Sequence, residues 1–232
     1  MKLYSKLLII NLLILFTIFS CNRNKQVSMQ CIEGTKLISD VESIKDILKD
    51  KCLDTIMFRK GEIIADIGAS SGYIEGMLSV FHDSLTFYIQ DIDTAVCNKR
   101  EVDKTMEFYE EVRKAPITNK FIIVNGTDSD TNLPDSTFDK IFLMWTYPYL
   151  KEPLRFISDI RKNLKDEGTF YVINPDLDFH YARLLNEKYG WNGSPIEKQI
   201  SDIIDCGFEL ITISRNHDDP EQPYFMVFRK KV

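Results

Sequence analysis

The stretch Glu62-Ile63-Ile64-Ala65-Asp66-Ile67-Gly68-Ala69-Ser70-Ser71-Gly72-Tyr73-Ile74 decides how this chain folds. Residues 62–67 read as a strand with a continuous apolar stretch, the pattern of a parallel strand buried on both faces. Tyr73, Ile74, Met77, Leu78 and Phe81 then recur on one helical face, so a helix follows. Between the two, Gly68 to Gly72 form a loop. Glycines there permit a tight turn and let a ligand approach the backbone, while the helix offers unpaired N–H groups. In an open parallel sheet this is the carboxyl edge, where ligands bind.

The same alternation runs outward in both directions. Upstream, Val41, Ile44, Ile47, Leu48 and Cys52 predict an amphipathic helix over about 40–53. Downstream, strands are predicted at 85–90, 121–124, 138–144 and 169–173. The helices between them are a long charged one over 94–114 and one containing Leu154, Ile157, Ile160 and Leu164, with Gly168 suited to the turn that follows. Helices over 178–189 and 195–206 come next. Phe208 to Ser214 and Tyr224 to Lys230 close the chain as an antiparallel pair. Strand alternating with helix means an α/β fold with a mainly parallel sheet.

Composition agrees with one folded domain. The 232 residues are 44% hydrophobic, enough for a sizeable core and too many for a disordered chain. Acids outnumber bases by 35 to 29, no Lys/Arg cluster stands out, and nucleic acid is not an expected partner. His82, His180 and His217 are too scattered for a metal site, and Asp128 to Asp135 lacks the glycine and terminal glutamate of a calcium loop, so no metal is expected and that stretch reads as a solvated connection.

The N-terminus reads as an address. Lys2 and Lys6 precede a thirteen-residue run, Leu7 to Phe19, apolar apart from Asn11 and Thr17, which is short for a membrane-spanning helix. Ile18-Phe19-Ser20-Cys21 resembles a bacterial lipoprotein signal, which implies residues 1–20 as signal peptide, lipid on Cys21, and a location in the cell envelope on the extracytoplasmic side of a membrane. An uncleaved N-terminal anchor is the alternative, and both tether the domain to a membrane. Residues 21–40 then serve as a polar tether and lead-in. Beyond Cys21, four cysteines remain (Cys31, Cys52, Cys97 and Cys206), and their three possible pairings stay open.

Asp91 ends the second strand of the repeat, 19 residues beyond Gly72, where a carboxylate can accept both hydroxyls of a ribose. Val124-Asn125-Gly126-Thr127-Asp128 places small polar groups after the next strand. The ordered set DIGASSGY, FYIQDID, VNGTD, LPDSTFD, RKNLKDEGTF, CGFEL and FMVFRK resembles the class I S-adenosylmethionine-dependent methyltransferases over about residues 41–232. That resemblance implies a Rossmann-like, mostly parallel seven-stranded sheet with a C-terminal antiparallel hairpin, helices on both faces, and S-adenosylmethionine as cofactor. It assigns the methionine part to Asp66, Gly68, Ser70 and Gly72, the ribose to Asp91, and the adenine to Thr127 and Asp128. No pyrophosphate-type GxGxxG is present, which argues against a dinucleotide enzyme.

Ser70 departs from the family, whose loop carries glycine there; at positive φ a serine costs about 1 kcal/mol. Methyl transfer demands no obligatory catalytic residue, and none is assigned. Tyr147, Tyr149, Asp176 and His180 follow the fourth and fifth strands and are the candidates for a base. The methyl acceptor, a small molecule or an envelope component, is not encoded in any signature; residues 22–40, 145–152 and 174–198 are the segments expected to read it. A noncatalytic, lipid-anchored protein that binds a ligand or partner on this fold is the other reading, because export takes the domain away from the cofactor. Replacing Asp91 by alanine is expected to weaken adenosyl-ligand binding and to spare the stability of the ligand-free domain.

Overall fold

The computed structural model describes residues 29–32, 35–174, 195–214 and 223–231. Cys21, Asp176, His180 and the helix expected over 178–189 lie outside these residues. The lead-in is not merely a tether: β1 (Met29–Ile32) and β2 (Thr35–Ile38) form a two-stranded antiparallel sheet of their own. Helix α1 (Val41–Asp50) follows, capped by Asp40, whose carboxylate accepts from Ser43 N at 3.0 Å and Ser43 Oγ at 2.7 Å.

The main sheet begins with β3 (Ile63–Ile67), followed by α2 (Tyr73–Ser79), β4 (Thr86–Asp91), α3 (Lys99–Arg113), β5 (Lys120–Asn125), β6 (Phe138–Met144), α4 (Pro153–Asn163), β7 (Leu164–Asn174), α5 (Ile196–Asp205), β8 (Phe208–Ser214) and β9 (Tyr224–Lys230). Seven strands run in the order β5-β4-β3-β6-β7-β9-β8. The five from β5 to β7 are parallel, and β9 runs antiparallel to both β7 and β8. The chain winds outward from β3 to β5 and then returns to lay β6 on the other side of β3, so the switch point lies between β3 and β6.

Period-two alternation sorts the sheet residues onto two helical layers. Ala65, Ile67, Ile141 and Leu143 face α4 and α5 through Phe156, Ile157, Ile160 and Ile203. Ile64, Phe87, Phe142 and Met144 face α1, α2 and α3 through Ile44, Leu48, Met77, Leu78 and Tyr109. Both faces of the sheet are thus buried under helices, as a doubly wound sheet requires.

Two boundaries and one connection differ from the sequence reading. Helix α3 starts at Lys99 rather than 94, because Asn98 caps it by accepting from Glu101 N at 3.2 Å while its amide holds the preceding turn through Thr94 O and Ala95 O. Strand β7 starts at Leu164, directly after α4, instead of at 169. Gly168 is therefore a site of close approach within the strand: a Cβ there would lie 2.7 Å from Leu164 and 2.9 Å from Phe138 O, beside the register shift between β6 and β7. The connection 126–137 is not simply solvated. Thr131 is fully buried, with its N and Oγ both donating toward Asp159 Oδ2 at 3.0 and 2.7 Å, and Asn163 Nδ2 donates to Leu133 O at 2.8 Å.

Among the described residues Cys52, Cys97 and Cys206 are free thiols, no helix is long and apolar enough to cross a membrane, and no group of side chains suits a metal ion.

Candidate functional site

The loop from Gly68 to Gly72 is tied to the end of β4 by two backbone bonds, Gly68 N and Ala69 N both donating to Gln90 O at 2.8 and 3.0 Å. Gly68, Ser70 and Gly72 all take left-handed backbone, with φ of +78°, +52° and +75°. Gly68 has a second reason to lack a side chain: a Cβ would stand 2.1 Å from Thr146 Oγ1, which is itself held against Ile67 O at 3.0 Å and Met144 O at 2.9 Å. Thr146 thus stitches the carboxyl ends of β3 and β6 together at the switch point.

Asp91 fastens the loop from the other side. Its Oδ2 accepts from Ser70 N and its Oδ1 from Asp93 N, each at 2.9 Å. Each oxygen retains a further lone pair. Above them opens a cavity of about 590 Å³, walled by Gly68, Ser70, Asp91, Asp93, Thr127 and Asp128, by Gln90 and Thr146, and by the apolar faces of Ile92, Val96, Met144, Leu150 and Phe156, with Tyr73, Trp145 and Tyr149 beside them.

Five of the seven residues read from sequence as cofactor-binding therefore share one cavity: Gly68, Ser70, Asp91, Thr127 and Asp128. Asp66 and Gly72 do not line it. Gly72 packs inward, where a Cβ would meet Ile89 Cδ1 at 2.6 Å. Asp66 alternates with Ala65 and Ile67, and so points with Ile64 into the α2 layer, only 2% exposed. There it meets Glu75 of α2, which is fully buried. Burial first, then the neighbouring Glu75 carboxyl, hold Asp66 well above the usual carboxylate range; burial likewise pushes Glu75 up to about 7. Tyr73, on the cavity side of the same helix turn, is raised to about 12 by burial and by these two acids.

The base candidates separate as sharply. Tyr147 is 2% exposed, and its hydroxyl donates to Asp202 Oδ2 at 2.6 Å, so it braces α5 instead of facing the cavity. Tyr149 stands at the rim, 53% exposed. Asp128 is ion-paired with Lys151. Gln90 was not legible as a site residue, and Thr146 only as part of the acceptor segment 145–152: nothing in a strand-terminal glutamine or a threonine after a tryptophan signals the cofactor side of the site until β4, β3 and β6 are brought side by side.

These residues fit the cofactor that the sequence resemblance implies. Gln90 Nε2 is buried and has no hydrogen-bond partner among the described residues, leaving an orphaned donor in the wall. Asp91 retains acceptor capacity, Asp91 and Asp93 suit a ligand of positive charge, and the apolar walls suit a flat ring.

Residues 66–172 match the family model described as a methyltransferase domain. Solved structures with the same fold include a chain from the complex of the Haloferax volcanii Trm112 methyltransferase activator with a methyltransferase (15% identity, TM-score 0.61, covering 83% of this chain and 94% of that one). A second is an S-adenosylmethionine-dependent methyltransferase from Aquifex aeolicus (18%, TM-score 0.55, 83% and 99%), and a third is the [4+2]-cyclase SpnF (13%, TM-score 0.60, 83% and 81%). The comparison with curated proteins gave no match. The chain thus has the class I methyltransferase fold, and its stretch from β3 to β7 is similar to a methyltransferase domain.

Proposed function

We propose that this chain is an S-adenosylmethionine-dependent methyltransferase, acting on a small molecule or an envelope component, and held at a membrane through lipid on Cys21. The observation that carries the first part is the cavity at the β3/β6 switch point, floored by a loop that Asp91 clasps through Ser70 N. In this reading Asp91 takes the ribose, Thr127, Asp128 and Gln90 surround the adenine, and Gly68 and Ser70 lie under the methionine part. S-adenosylmethionine supplies a methyl group on a sulfonium, open to in-line displacement. The protein's share is alignment and exclusion of water, for which Met144, Leu150 and Phe156 provide the apolar wall. Tyr149 is the described residue placed to accept a proton from an acceptor at the rim.

Calorimetric titration of the full-length protein with S-adenosylmethionine and its demethylated product tests this. Micromolar binding of both is expected. No binding at millimolar ligand would overturn the cofactor assignment and leave a repurposed fold. The lipid anchor is supported by the run Leu7 to Phe19 ending at Ser20-Cys21.

A further inference from the structure

Behind the loop lies a group that the proposed reaction does not use. Glu75 is fully buried on α2, and neither of its carboxyl oxygens has a donor among the described residues; Asp66 Oδ1 is in the same position. Three buried acceptor atoms without a donor is an arrangement that two ionised carboxylates could not hold, since each would be desolvated, unpaired and beside a like charge. One carboxyl that keeps its proton and donates it to the other removes the like-charge repulsion and pairs two of the three atoms. The two side chains are placed for this: Asp66 projects from β3 into the layer that α2 covers, and Glu75 sits in the first turn of that helix.

The surroundings offer little other charge. Lys51, after α1, is the cation facing Asp66, and its Nζ lies 5.4 Å from the centre of the Trp145 ring, at the edge of the cavity. Asp50 faces Lys51, and Asp91 faces Asp66 from β4. Tyr73 lines the cavity, the Cys97 thiol comes from the segment before α3, and the α3 residue Tyr109 hydrogen-bonds the backbone of Ile38.

We propose that Glu75 and Asp66 share a proton beneath the loop at neutral pH, and that this proton leaves when a ligand bearing an ammonium group occupies the cavity above. The second half rests on the cofactor reading, because the amino-acid end of that ligand is what brings the ammonium. The balance is simple. The carboxylic O–H breaks, the proton passes to solvent, and the second negative charge left under the loop is offset by the incoming cation. Glu75 acts here through Asp66 and is a positioning residue. Affinity for such a ligand should then rise with pH around neutrality, approaching tenfold per unit while a full proton is released.

The test is calorimetry near pH 7 in two buffers of different ionisation enthalpy, which counts protons released on binding. The probes are S-adenosylhomocysteine, which carries the ammonium, and 5′-methylthioadenosine, which lacks the amino acid. Wild type should release close to one proton with the first and none with the second. Glu75→Gln should abolish the release, because its amide N–H donates permanently to Asp66. Equal release by both ligands, or release unchanged in E75Q, would overturn the proposal. Should neither ligand bind, the coupling falls together with the cofactor reading. The shared proton is still decided by thermal melts of the free proteins from about pH 5 to 8: melting temperature falling with pH in wild type but not in E75Q supports it, and parallel profiles overturn it.

Discussion

Ser70 sits at φ +52° with its N–H on Asp91, so the strain of a left-handed serine is held in place by a charge-assisted bond. Ser70→Gly would remove about 1–2 kcal/mol of backbone strain and add about 0.5–1 kcal/mol of unfolded-state entropy. A net gain of roughly 0.5 kcal/mol is expected, a rise of about 1–2 °C in melting temperature, and adenosyl-ligand affinity at least as high as wild type. The other end of that bond corrects an expectation. Because Asp91 accepts two backbone N–H groups in the ligand-free protein, Asp91→Ala should cost about 1–3 kcal/mol of stability, rather than sparing it. Asp91→Asn, which keeps one acceptor, should recover much of the stability and little of the affinity. Denaturant melts alongside ligand titration separate the two effects.

Among the elements, those with long apolar periodicity were legible, and those defined by partners were not. Residues 62–74 announced β3, the loop and α2, because a buried parallel strand and an amphipathic helix each carry their own pattern. The hairpin β1/β2 carries none: two four-residue strands amid polar sequence are held by their pairing and by Leu37, buried in the core cluster that contains Ile44 and Leu48, so composition reads them as a tether. Likewise Lys165-Asp166-Glu167-Gly168 looks like a helix stop, and lies within β7 at its register shift, between the pairings of Leu164 with Phe138 and of Thr169 with Lys140. Asp66 was legible as the acid that opens the loop motif but not as a buried partner of Glu75, since Glu75 by sequence alone is one more charge in a helix. The connection 126–137 makes a prediction at this scale. Thr131 ties it to Asp159 on α4, and Thr127 and Asp128 wall the cavity at its start. Thr131→Val should cost about 1–3 kcal/mol by leaving Asp159 short of a buried partner, and should weaken adenosyl-ligand binding several-fold by loosening that wall. Thr131→Ser should restore both, as read by melting and calorimetry.

For the whole molecule, the doubly wound sheet concentrates everything binding-competent at one edge, the carboxyl ends of β3, β4 and β6, while the opposite edge is closed by contacts such as Asp139 Oδ2 accepting from Ile63 N at 2.8 Å. The anchor proposed at Cys21 is tested on the intact chain: Cys21→Ser should abolish incorporation of labelled fatty acid. Retention of label would sink it. Here the small hairpin acquires a meaning that its size conceals. Strand β1 starts at Met29, so seven residues separate it from Cys21, a link that spans at most roughly 29 Å. A lipidated chain would then patrol a shell no deeper than a bilayer is thick. Acceptors embedded in or adsorbed to that membrane would meet the cavity at high effective concentration, whereas freely diffusing ones would enjoy no such advantage.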